Sequence, residues 1–107
     1  MSRASKILCV DFDGVIHAYR KGYQNGAAYD EPMEGAIEGI LHLREQGYDV
    51  WIFSCRPAPM ITDWLGVHWP KGKVHPKITD KKIPALAYID DRAIRFTNWR
   101  DMIKYFV

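Results

Sequence analysis

Three short apolar runs, each halting on polar residues, limit what this chain folds into more than any other feature of it. KILCVDF at residues 6–12 stops around Asp11 and Asp13 with Gly14 behind them, DVWIFS at 49–54 stops on Ser54, and the run over 85–89 stops on Asp90 and Asp91. Runs of this length, rich in β-branched and aromatic residues and closed by turn formers, predict buried strands over 6–11, 49–54 and 85–89. Helical stretches separate them. Parallel neighbours need crossover connections, so alternation of this kind implies a parallel sheet flanked by helices, an α/β three-layer, Rossmann-like sandwich.

The connecting segments fill in the order. From Val15 to Asp30 the chain is dotted with Gly22, Gly26, Tyr19, Tyr23 and Tyr29 and shows no helical period, which reads as an irregular hairpin or flap. Pro32 in a first turn, acids at Glu31 and Glu34, and apolar Ala36, Ile37, Ile40, Leu41 and Leu43 predict an amphipathic helix closed by Gly47. After Pro57 and Pro59, the stripe Met60, Ile61, Trp64, Leu65 predicts a second helix that Gly66 closes early. Val74 and His75 read as a short strand, and Trp99, Met102, Ile103 and Phe106 mark a last helix packed by one face.

The length suits one domain over 1–107, since domains usually hold about 100–150 residues. A composition of 48% apolar and 26% charged residues excludes a disordered chain, and a net charge of +2 without like-charge runs gives no reason of its own to invoke nucleic acid. No apolar stretch approaches the roughly 18 residues of a membrane span, and Met1 to Lys6 lacks the apolar core of a signal peptide. A cytoplasmic protein is expected. Cys9 and Cys55 lie in apolar strand-like runs, which favours buried free thiols over a disulfide.

In open α/β sheets the ligand crevice lies outside the carboxyl ends of the strands. Here those ends carry Asp11 with Asp13, Ser54, and Asp90 with Asp91. Four carboxylates in one crevice repel one another unless a cation offsets them, and an oxygen-only donor set with room for water and phosphate oxygens suits Mg²⁺ better than zinc. An aspartate beside such an ion can attack phosphorus and split one displacement into two steps. A second acid two residues on lies on the same side of an extended chain, where it can protonate the leaving group and later activate water. Asp11 and Asp13 have that spacing.

DFDGV from Asp11 to Val15 resembles the first motif of the haloacid dehalogenase-like superfamily. FS at Phe53 and Ser54 resembles its second, Lys82 in KIPA its third, and YIDD at Tyr88 to Asp91 its acidic fourth. The resemblance runs from Lys6 to Phe96. It implies a phosphatase with Asp11 as nucleophile and metal ligand, Asp13 as general acid/base with its carbonyl on the metal, and Asp90 and Asp91 completing a Mg²⁺ site. Ser54, with the Cys55 and Arg56 that follow it, and Lys82 would bind the substrate phosphate; Lys82 is preferred over Lys77 and Lys81 because it directly precedes the strand bearing the acidic pair.

The departures from the family pattern shape the expected substrate. No insertion large enough for a cap domain follows the first or second motif, so only the flap covers the crevice and a bulky substrate is admissible. Val15 stands where many phosphatases have Thr. The expected partner is a phosphorylated small molecule or a nucleic-acid end, with no membrane and no obligate protein partner; a non-catalytic metal- or phosphate-binding module is the alternative of a different class. His17, His42, His68 and His75 lack a metal-ligand spacing and read as surface or packing residues, His17 alone lying near the crevice, in the flap; Arg92, like Arg56, stands close enough to a motif to steer an anion.

Overall fold

The computed structural model describes residues 6–106, so the reading of the first five residues lies outside the described region. Four strands, β1 (Ile7–Asp11), β2 (Asp49–Phe53), β3 (Lys77–Thr79) and β4 (Ala87–Ile89), form one sheet in the order β3-β2-β1-β4. Every pairing is parallel, with Asp11 opposite Phe53 and Val10 opposite both Ile52 and Ile89. The fold is α/β, as the alternating runs predict. Helices α1 (Ala36–Glu45), α2 (Ala58–His68) and α3 (Trp99–Lys104) complete the elements.

Alternation along the strands decides where the core lies. Val10, Val50 and Ile52 point to one face and pack against Ile40 of α1 and Ile61, Trp64 and Leu65 of α2, with Phe12 and Ile16 sealing the end of the cluster. Both helices therefore cover the same face. On the other face Cys9 is buried, Phe53 meets the Tyr88 ring edge-on at 5.7 Å, and the Tyr88 hydroxyl donates to the Ile83 carbonyl. A non-helical connection, residues 80–86, crosses that side, and among the described residues no helix supplies a third layer there.

Several boundaries differ from the sequence expectation. Helix α1 starts at Ala36 rather than around Pro32, because Pro32 is held extended in a bridge to His17 while Gly35, at φ +80, turns the chain into the helix. Helix α2 runs through Gly66 to His68, since the glycine is solvent-facing while Trp64, Leu65 and Trp69 around it are buried. The short strand is Lys77–Thr79 and not Val74–His75; Val74 is exposed, and it is Lys77 that pairs with Trp51 of β2.

The largest differences lie at the C-terminal end. Strand β4 is a three-residue sheet edge with Ala87 and Ile89 exposed, where the run over 85–89 predicts a buried strand. Helix α3 forms with an Asn98 cap, whose side chain accepts from the Asp101 N–H, yet none of its residues is buried. Trp99, Ile103 and Phe106 of the expected packing stripe face solvent. The Cα radius of gyration, 15.0 Å, exceeds the ~13 Å expected for this length because this arm stands off the sheet. No helix among the described residues is long and apolar enough to cross a membrane.

Candidate active site

Strand order places the site. From β1 the chain moves outward through β2 to β3, then returns to lay β4 on the opposite side of β1, so the direction of winding reverses between β1 and β4. A crevice opens beyond the carboxyl ends of strands at such a reversal. Asp11 closes β1 and Asp90 follows β4. A cavity of about 530 Å³ opens there, lined by Asp11, Asp13, Ser54, Cys55, Arg56, Asp91 and Arg92, with Tyr19, Tyr23 and Gly26 of the flap.

Within it the acids separate into two groups. Oxygens of Asp11, Asp90 and Asp91 all lie within 4.8 Å of one another. Close approach of Asp91 depends on Gly14, which sits at φ +82 and whose missing Cβ would fall on the Asp91 carboxylate. Burial, the neighbouring Asp90 charge and, more weakly, Asp91 and Asp13 push the Asp11 carboxyl up to about 6, against the hydrogen bond it accepts from the Phe12 N–H. Like charges crowded into a half-buried pocket are what a hard divalent cation relieves, and three carboxylates with no Cys or His are the oxygen donors such a cation takes. The donor set fits the ion the sequence points to.

Asp13 lines the same cavity but is not one of that trio, and it is held at both oxygens. Its Oδ1 lies 2.8 Å from His17 Nδ1, and its Oδ2 accepts from Arg56 Nε at 2.8 Å. His17 is wholly buried, stacked on Phe12 and edge-on to Trp64. The Asp30 N–H donates to His17 Nε2 at 2.9 Å. A backbone N–H is always a donor, so Nε2 is the acceptor and Nδ1 carries the hydrogen that goes to Asp13. His17 therefore contacts the site; the sequence puts it near the crevice, in the flap, but favours a surface or packing role over this one.

Ser54 stands directly after β2, buried but on the cavity wall, and its Oγ accepts from the Arg56 N–H at 3.1 Å. That leaves its hydroxyl hydrogen available to an incoming oxygen. Arg56 also donates to the Gly26 carbonyl at 2.6 Å and, more weakly, to Ala27, tying the flap to the loop after β2. The flap's neck is fixed by a bidentate Arg20–Asp30 pair, which holds the Asp30 carboxyl well below the usual range. Trp64 Nε1 donates to the Asp30 carbonyl, and Tyr29 bonds Lys21 and Gly22.

Lys82 is not brought into the cavity; its ammonium lies over the Tyr88 ring, 5.7 Å from the centroid. Lys81 borders a neighbouring cleft with Cys55 and Arg56, and Lys77 lies over Trp51. The positive groups on the cavity wall are Arg56 and Arg92 instead. Both cysteines are free, Cys9 buried as expected and Cys55 exposed, because it lies two residues beyond the end of β2 and lines the cavity rather than the core. Comparison with protein-family models, curated proteins and solved structures found no match for this chain.

Proposed function

We propose that this chain is a Mg²⁺-dependent phosphomonoester hydrolase of the haloacid dehalogenase-like kind, with a Rossmann-like sheet, acting through an aspartyl-phosphate on Asp11. The observation that carries the reading is the division among four neighbouring acids: Asp11, Asp90 and Asp91 converge within 4.8 Å, while Asp13 is held apart by two donors. A plain acidic patch has no reason to separate one carboxylate from the rest.

In this reading an Asp11 oxygen attacks phosphorus, the ester bond breaks, and Asp13 delivers a proton to the departing oxygen. Asp13 then takes a proton from water, which attacks the phosphorus and frees Asp11 and inorganic phosphate. The Ser54 hydroxyl donates to a phosphoryl oxygen. Arg56 and Arg92 supply the positive charge that the sequence resemblance assigns to Lys82. Asp11, Asp90 and Asp91 would hold Mg²⁺, which when bound offsets the charge between anionic nucleophile and anionic substrate. The free thiols agree with a cytoplasmic setting.

A second substrate reading, a single-stranded nucleic-acid end in place of a small phosphate ester, rests on the arm that begins at Arg92 on the cavity wall. Phe96, Trp99, Tyr105 and Phe106 are all exposed there, interleaved with Arg95, Arg100 and Lys104, a composition that suits stacked bases along a charged backbone. Salt separates the two readings, because apparent affinity for a polynucleotide falls steeply with ionic strength.

The direct test is hydrolysis of an aryl phosphate with Mg²⁺, followed by rapid-quench trapping of labelled protein. Turnover abolished by chelation, and both turnover and label abolished in Asp11→Asn, is the expected result. Mg²⁺-independent turnover, or label that persists in Asp11→Asn, overturns the assignment.

A further inference from the structure

We propose that His17 is the positioning residue for Asp13, and that it divides the two oxygens of that carboxylate into a fixed one and a working one. This rests on the phosphatase reading above for its chemistry but on separate geometry for its form. His17 Nδ1 donates to Asp13 Oδ1 across 2.8 Å, from a ring with no exposed surface. Its other nitrogen is committed to the Asp30 N–H, so the ring cannot flip or take the other tautomer without leaving a buried backbone donor unpaired.

The consequence falls on Asp13. Oδ1 faces the interior and has a partner that cannot leave. Oδ2 faces Arg56, which lines the cavity. A proton passing between Asp13 and a leaving group, or between Asp13 and water, therefore moves through Oδ2. While Arg56 holds Oδ2, that oxygen serves as an acceptor; a phosphate in the cavity offers the guanidinium a competing pair of oxygens, and its transfer there frees Oδ2 for proton exchange. His17 keeps the carboxylate aimed during that exchange, anchored through Asp30 to the neck of the flap.

Two variants and one spectrum test this. His17→Phe preserves the ring packing on Phe12 and Trp64 and removes both hydrogen bonds, whereas His17→Asn retains a donor near the Nδ1 position. Expected is a ~10–10²-fold loss of kcat in His17→Phe on an alkyl phosphate, a much smaller loss on an activated aryl phosphate, unchanged KM, and substantial recovery in His17→Asn. A merely structural histidine gives equal losses on both substrates with no recovery, and that result, or no loss at all, overturns the proposal. Nitrogen NMR of the metal-free protein reads the tautomer without reference to turnover: hydrogen on Nδ1 is expected, and hydrogen on Nε2 defeats the proposal even in an active enzyme. A wild type with the expected tautomer but no turnover of any phosphomonoester strikes instead at the phosphatase reading, and removes with it only the proton-transfer role given to Asp13.

Discussion

The centre of the sheet's carboxyl edge and its β4 end are built in opposite ways. Around β1 and β2, the turn after Asp11, the flap and the loop after Ser54 are cross-linked by His17, Asp30, Arg56 and Trp64, and the residues at their centre, Phe12, Ile16 and His17, are nearly or wholly buried. After β4, the chain from Asp91 to Phe106 is exposed almost throughout, and α3 is held by its Asn98 cap and by Thr97 and Lys104 contacts with Asp101. Local bonding is enough to shape a turn of helix, but only burial against another element fixes where it sits. The acidic trio spans the seam, with Asp11 on the rigid side and Asp90 and Asp91 where the arm departs.

The widest break between these regions is in stability. Phe12→Ala removes a ring packed 5.1 Å from Trp64 and 5.2 Å from His17, and is expected to cost about 3–5 kcal/mol in denaturant unfolding. A smaller value means that the flap and core are less coupled than their contacts imply.

Mg²⁺ comes next, because on the proposed reading it would join the two regions through the trio. At ~100 times its dissociation constant it should add about 2.7 kcal/mol, read as a rise in melting temperature absent from Asp11→Asn. The pH dependence has a defined sign. Asp11 titrates near 6 in the metal-free fold and near ~3.9 when unfolded, so between those values the native state binds more protons, and stability falls as pH rises from about 4 to 6. Above that the cost is fully present, and it is this cost that the cation offsets. Asp11→Asn should flatten the slope; an unchanged slope in that variant assigns it to another group.

Gly14→Ala sharpens the seam itself. Its backbone at φ +82 and the Asp91 carboxylate where a Cβ would stand predict a loss of about 1–3 kcal/mol, together with a weakened response to Mg²⁺. Stability lost with the Mg²⁺ response intact shows that Asp91 is dispensable to the trio. The smallest effect is expected at Trp99→Ala, within about 0.5 kcal/mol, since the side chain is 72% exposed. A cost of several kcal/mol there places α3 against the body of the protein in solution.

What was legible in the sequence divides along the same line. The acids and Ser54 could be read because strand ends are local features: an apolar run stops, and the polar residue that stops it lies at the crevice. The bonding of His17 could not, although its place near the crevice could, since that bonding depends on the Asp30 N–H arriving from thirteen residues away, and neither periodicity nor composition encodes that meeting. Lys82 was placed by its order along the chain, whereas the Tyr88 ring beneath it decides where its ammonium lies. The stripe on α3 correctly announced a helix, but a stripe says only that a face is apolar. Which surface is within reach of that face is a tertiary fact, and here β4 ends as a short edge and the arm extends away from the sheet.

The flap carries a consequence for how such a chain can change. Its neck is closed by the Arg20–Asp30 pair and by Ala18 and Met33 bonding across to Glu31 and Ile16, while Tyr23, Gln24 and Asn25 at its tip are exposed. Lengthening the tip leaves the neck and the His17 contact to Asp13 in place, while the Arg56 bonds to Gly26 and Ala27 mark where an insertion must stop. On the proposed phosphatase reading, new recognition surface could therefore be grafted over the cavity through these three exposed residues and whatever is inserted among them.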